Sequence, residues 1–192
     1  MYIEKVILPS DSPPRPDRGP DADAGRRTPA GYATFGEQRT PSALRIVVTS
    51  TASDAHTWNL IYLQLLLEEA GHVVTNFGPC VADEVLLTRC RQQIPDLIVF
   101  STVNGHGRQD GARIIKLLRG GAPDLRGVPV VIGGMLGVAG PDGNAAAQAL
   151  TDAGFDAVFG SRTDDIEAFL SFVGTVSAHR ARPAARAATA LR

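Results

Sequence analysis

Residues 44–78 read LRIVVTSTASDAHTWNLIYLQLLLEEAGHVVTNFG, and the change of period inside this stretch decides the fold. Its opening run, 44–50, is short, apolar and β-branched, as expected of a strand in a parallel sheet. From Thr57 to Ala70 the period changes: Leu60, Leu63, Leu67 and Ala70 recur at helical spacing and share one face. Gly71 supplies the helix stop, and residues 72–78 make a second strand. Strand, helix and strand in this order form a βαβ unit.

The same alternation continues outward to residue 173. A helix over 81–93, with Val81, Val85, Leu86 and Cys90 inward, is stopped by Pro95. The run DLIVFST (96–102) is apolar throughout, as a central strand covered on both faces should be. A helix over 110–119, the strand VPVVIGG (128–134), a helix over 144–153, the strand FDAVFG (155–160) and a helix over 163–173 complete five pairs. The predicted fold is α/β: a five-stranded parallel sheet, doubly wound, flavodoxin-like (Rossmann-like). Residues 1–43 are expected to form a disordered arm, because 9–43 is dense in Pro, Gly, Asp and Arg and buries too little apolar surface to offset the entropy of ordering. Residues 174–192, ending AHRARPAARAATALR, read as a loose tail that its alanines can support as a frayed helix. That leaves one domain, 44–173.

Composition narrows the function classes. A net charge of -1 provides no basic face, so no nucleic-acid partner is expected. Cys80 and Cys90 lie outside any CxxC pair and indicate neither a zinc site nor a disulfide framework. The start of the chain is broken by Pro9 and lacks the continuous apolar core of a signal peptide. With no apolar run near the roughly 18 residues of a membrane span, the protein is expected to be cytoplasmic and off the membrane.

Ligands of open parallel sheets bind beyond the carboxyl ends of the strands, where strand order reverses. Three loops there are rich in small and polar residues: TASDAHTWN after the first strand, STVNGHG after the third and GGMLGVAGPDG after the fourth. In the first, an aspartate two positions before a histidine can hold the far ring nitrogen of an imidazole that donates to a metal. Asp54 as a helix cap and His56 as a solvated loop residue is the plainer alternative. Gly105-His106-Gly107 matches neither GxGxxG nor a P-loop, so nucleotide binding of those kinds is not supported. Gly133 and Gly134 can let a planar group lie on the backbone, or can simply turn the chain.

Together these pieces resemble the cobalamin-binding domain of methionine synthase and of methylmalonyl-CoA and glutamate mutases. That family's signature, DxHxxG then SxL then GG, appears here as Asp54-Ala55-His56-Thr57-Trp58-Asn59, Ser101-Thr102-Val103 and Gly133-Gly134. Asn59 replaces the glycine and Val103 the leucine. Ser53 before the motif, Gly105-His106-Gly107 and Thr163 make the likeness closest to the small subunit of glutamate mutase (methylaspartate mutase).

The resemblance implies that His56 is the lower cobalt ligand, Asp54 its hydrogen-bond partner, and adenosylcobalamin the cofactor. It further implies that the cofactor's benzimidazole tail inserts between the first helix and the sheet beside Ser101, with Gly133 and Gly134 giving it room. Ser53, Ala55, Thr57, Thr102, Val103, Gly105, Met135, Leu136, Gly137, Val138, Ala139 and Thr163 complete the expected cofactor contacts. Asn59 is expected to narrow or rehydrate the tail's passage. No arginine cluster at the strand ends offers a pocket for the carboxylates of an amino acid, so no catalytic residue is expected in this chain. The resemblance places the substrate site on a larger barrel subunit, in a hetero-oligomer that interconverts L-glutamate and 3-methylaspartate. A corrinoid methyl carrier and a non-catalytic cobalamin-binding or sensing module are the alternatives.

Overall fold

The computed structural model describes residues 42–136 and 143–189. Their elements run β1 (Arg45–Thr49), α1 (Trp58–Glu69), β2 (Val73–Gly78), α2 (Asp83–Gln93), β3 (Leu97–Thr102), α3 (Gly107–Gly121), β4 (Val130–Gly134), α4 (Gly143–Ala153), β5 (Ala157–Phe159) and α5 (Thr163–Thr189). The five strands form one sheet in the order β2-β1-β3-β4-β5, every pair parallel. Strand order reverses between β1 and β3.

Alternation along the strands sorts side chains into two cores. Ile46, Val48, Leu97, Val99 and Val131 face α1 and α5, packing with Leu60, Leu67, Phe169 and Val173. Val47, Ile98, Phe100, Val130 and Ile132 face the other way, onto Leu86, Cys90, Ile114, Ile115, Leu118 and Leu150 of α2, α3 and α4. Helices on both faces explain why β3 is buried at every position. Each fully buried Leu or Ile contributes roughly 1.5–3 kcal/mol relative to exposure.

The helices differ from the periodic reading in detail. In α1, Leu60 and Leu67 are buried and Leu63 packs against the core, but Ala70 is exposed at the cap. Val85 of α2 is 49% exposed, because Leu86 and Cys90 already define the inward stripe. Helix α3 starts three residues before Asp110, since Gly107 packs closely enough to admit no side chain. A Cβ there would meet the Thr102 methyl and the Leu136 backbone. The largest difference is α5, which continues past Val173 to Thr189 where a loose tail was expected. Its apolar stripe continues: Val176 packs on the core and Ser177 donates to the Ser42 carbonyl at 2.6 Å. Arg180 pairs with Asp96, which also holds Arg45. The expected N-terminal arm lies outside the described residues up to position 41. Among the described residues no helix is long and apolar enough to cross a membrane.

Candidate functional site

The loop from β1 to α1 is folded around one carboxylate. The Asp54 backbone is pinned first: its carbonyl accepts from the Ser50 hydroxyl at 2.8 Å and from the Cys80 N–H at 2.9 Å. Its side chain is fully buried and has two jobs. Oδ1 accepts from the His56 backbone N–H at 3.0 Å and meets His56 Nδ1 at 2.7 Å, while Oδ2 accepts from the Val103 N–H at 2.7 Å. One residue thus ties the first loop to the end of β3. Burial pushes the carboxyl up, but the backbone N–H groups of His56 and Val103 outweigh it, aided by the His56 and Thr102 side chains. The result is a pKa of about 2. An ionised carboxylate at Nδ1 keeps the ring proton on that nitrogen and leaves the lone pair on Nε2. The His56 side chain is 59% exposed, and among the described residues nothing bonds to Nε2. Asp54 does not cap α1: Thr57 is at the cap position, with no side-chain cap bond.

Beside this loop a slot of about 200 Å³ opens between the sheet and helices α1 and α5. Val99, Ser101, Val103, Gly133 and Gly134 form its sheet wall, Asn59, Tyr62 and Leu63 its α1 wall, and Phe159, Ile166 and Phe169 the far side. Sites enclosing a whole drug-sized ligand run from roughly 300 Å³ upward, so this slot suits one flat arm of a larger molecule. The apolar walls and the few polar groups fit an aromatic ring. Asn59 Nδ2 donates to Ser101 Oγ at 2.8 Å, whereas Asn59 Oδ1 is buried without a hydrogen-bond partner among the described residues. An unpaired buried acceptor costs about 1–3 kcal/mol. The slot's residues fit the nucleotide tail of a cobalamin. A larger cavity, about 410 Å³, lies at the opposite sheet edge among Pro95, Asp96, Pro129 and His179, away from the carboxyl ends where such sheets bind ligands.

The structure separates the sequence-predicted residues into groups. Asp54, His56 and Val103 are brought together, and Ser101, Val103, Gly133 and Gly134 line the slot. The glycine pair also has a second reason to be glycine. Gly134 has φ +106, and a Cβ on it would strike the Thr102 carbonyl, while one on Gly133 would crowd the Phe159 carbonyl at 3.3 Å. Neighbouring strands, as well as any ligand, exclude side chains there. Ser53 is tied to α3: its hydroxyl donates to Asp110 and accepts from Asn104 Nδ2 at 2.9 Å. Thr102 is buried, its hydroxyl donating to Asn104 Oδ1 at 3.2 Å and its carbonyl accepting from the Met135 N–H at 2.8 Å. Gly105, at φ +81, turns the chain into α3, where His106 occupies the cap position without a side-chain cap bond and donates its N–H to Asn104 Oδ1.

Ala55, Thr57 and Met135 are exposed around the loop rims, and Leu136 packs under α3. Gly137, Val138 and Ala139 lie outside the described residues. Thr163, the first residue of α5, is exposed and off the slot; Ser161 and Asp165 line it instead. Asp165 there accepts from the Arg162 N–H at 2.9 Å, closing the helix start. Tyr62, Phe159, Ile166 and Phe169 were missed as site residues. Each carries a core-like apolar signal, and only the meeting of α1 with α5 turns them into slot walls.

Known proteins share this chain's sequence pattern and its fold. The glutamate mutase sigma subunit of Halobacterium salinarum is 32% identical over 118 residues, 62% of this chain and 77% of that protein. Among solved structures, the monomethylamine corrinoid protein of Methanosarcina barkeri matches with TM-score 0.54 at 15% identity, covering 71% of this chain and 61% of that one. A cobalamin-binding protein from Desulfitobacterium hafniense matches with TM-score 0.50 at 20% identity, covering 61% and 53%. At such identities the structural likeness speaks for the fold alone. Residues 44–170, which hold the aspartate-bound histidine and the slot beside it, match the B12 binding domain, and the chain belongs to that family.

Proposed function

We propose that this chain is the adenosylcobalamin-binding small subunit of a glutamate mutase-like isomerase that interconverts L-glutamate and 3-methylaspartate with a larger barrel subunit, in the cytoplasm. The observation that carries the reading is the 2.7 Å contact between Asp54 and His56 Nδ1, which leaves Nε2 exposed at the switch point of the sheet. Nε2 of His56 would be the donor to cobalt. Asp54, ionised far below neutral pH, holds the imidazole in one tautomer and aims it, which raises its donor strength. The slot between α1 and the sheet would take the nucleotide tail and shield it from water, with Ser101 on its wall to meet a polar edge. Adenosylcobalamin, when bound, supplies the radical chemistry that begins a carbon-skeleton rearrangement.

Two observations support a separate substrate-binding subunit. An amino-acid substrate needs paired charges, yet no arginine or lysine lines the slot among the described residues. Trp58, Ile61, Tyr62 and Leu65 also form an exposed apolar stripe on α1, beginning two residues after His56. Contiguous apolar surface of this kind marks contact with another protein.

The test is a visible spectrum of the adenosylcobalamin complex for the wild type and for His56→Ala. The wild type is expected to show a displaced nucleotide base with histidine on cobalt, and the variant to lose the histidine signature. Identical spectra would sink the ligand assignment. Addition of a barrel subunit and glutamate should then yield methylaspartate by mass spectrometry. Loaded protein that yields none with any such partner would point to a methyl carrier or a sensing module.

A further inference from the structure

Besides the bonds of Asp54 itself, the loop after β1 is braced from α3. Asp110, in the first turn of α3, accepts the Ser53 hydroxyl proton on Oδ2. Its Oδ1 pairs with Arg113 at 3.3 Å, and Arg113 reaches on to Asp83 at the start of α2 at 3.0 Å. Asn104 makes a second brace: Nδ2 donates to the Ser53 carbonyl at 3.0 Å and to the Ser53 hydroxyl at 2.9 Å. Asn104 is in turn fixed through Oδ1, which accepts from the Thr102 hydroxyl and the His106 N–H. An acid in the first turn of a helix is ordinarily explained by the helix dipole. That role leaves a side chain free to face solvent, whereas the Asp110 side chain is 16% exposed and bonded to the loop.

The Ser53 carbonyl belongs to the same peptide as the Asp54 N–H, which donates to the Thr51 carbonyl at 3.1 Å. Held on both sides, this peptide resists rotation, and it sets the direction in which the Asp54 side chain leaves the backbone. His56 depends on that direction, because among the described residues its ring is bonded to Asp54 alone. A ligating group must be kept within about 0.5 Å of its working position by the groups behind it. We infer that Asp110 is a positioning residue for the cobalt ligand: acting through Ser53, it steadies the Asp54 peptide and so the aim of His56 Nε2. This inference rests on the reading that the chain binds a cobamide.

The experiment loads the full chain, made with heavy-nitrogen histidine, with cob(II)alamin. A nitrogen ligand splits the paramagnetic cobalt resonance, and the label turns the splitting from a triplet into a doublet only where histidine is the ligand. Wild type should give the doublet throughout. Asp110→Ala should bind cob(II)alamin about tenfold more weakly, the low end for groups that orient a metal ligand, and part of its bound cobalt should lack the doublet. Asp110→Asn keeps an oxygen for the Ser53 hydroxyl and should restore both. Ser53 is exposed, so Ser53→Ala cuts the brace without disturbing α3 and should also lose part of the doublet. Adding Asp110→Ala to Ser53→Ala should cost nothing further, because the brace is already cut, whereas a purely structural role of Asp110 would add its full loss. Should Asp110→Ala fail to fold, Ser53→Ala decides alone. A doublet unchanged in either single variant, or full additivity of the two, overturns the role of Asp110 while the cobamide reading stands. Wild type that binds no cob(II)alamin, or binds it without the doublet, sinks that reading and the inference with it.

Discussion

Asp54 is pulled two ways, and the balance makes a pH prediction. Burial alone would raise its pKa, but N–H donors from His56 and Val103 lower it from 3.8 to about 2. A carboxyl depressed in the fold contributes stability that is present above its unfolded value and lost as pH falls through the folded one. Urea midpoints of the wild type should therefore drop between about pH 4 and pH 2. Asp54→Asn should be less stable at pH 7 by about 1–3 kcal/mol, because one N–H would face an amide nitrogen, and the gap should close toward pH 2. Parallel pH profiles for the two proteins would refute the role given to these bonds. At the same scale, Cys90 is a core residue rather than a reactive one: burial pushes its thiol up to about 12. The pairing of Asp54 with His56 was readable from a two-residue spacing, but its second bond to Val103, 49 positions away, was not.

At the scale of elements, the loops are held by neighbours rather than by their own sequence. Gly134 shows this most sharply, since its φ of +106 and the Thr102 carbonyl of β3 both forbid a side chain. Gly134→Ala should lose about 3 kcal/mol or more from strain and displaced backbone together. Equilibrium urea unfolding checks it, and an unchanged midpoint would mean the chain relaxes freely at the end of β4. Paired glycines after an apolar run signal a special backbone, yet sequence left open whether a turn or a ligand required it. The clash lies between two strands paired in register, Thr102 with Gly134, and register is a property of the sheet. Helix α1 is similar. Its leucines announced a helix, but because the helix is apolar on several faces, only docking selected Leu60 and Leu67 for burial and left Leu65 60% exposed.

For the whole molecule, α5 is the element that closes one face of the sheet and one wall of the slot. A chain ending at Gly174 would lose Val176 from the core, the Ser177 bond to Ser42 and the Arg180 pair with Asp96. Its stability should fall by roughly 2 kcal/mol or more, measurable as a lower urea midpoint; no change would restore the loose-tail expectation. Strand, helix and glycine periodicity is local, so the α/β class, the parallel sheet and the aspartate-histidine loop follow from sequence alone. Those features depend on residues within one turn or one strand of each other. The slot, the unpaired Asn59 oxygen and the reach of α5 depend on side chains from β3, β4, α1 and α5 converging across as many as 110 positions, from Asn59 to Phe169. Only the packed sheet with its helices in place brings them within bonding distance, because burial and hydrogen-bond satisfaction are set by what lies opposite a residue rather than by what precedes it.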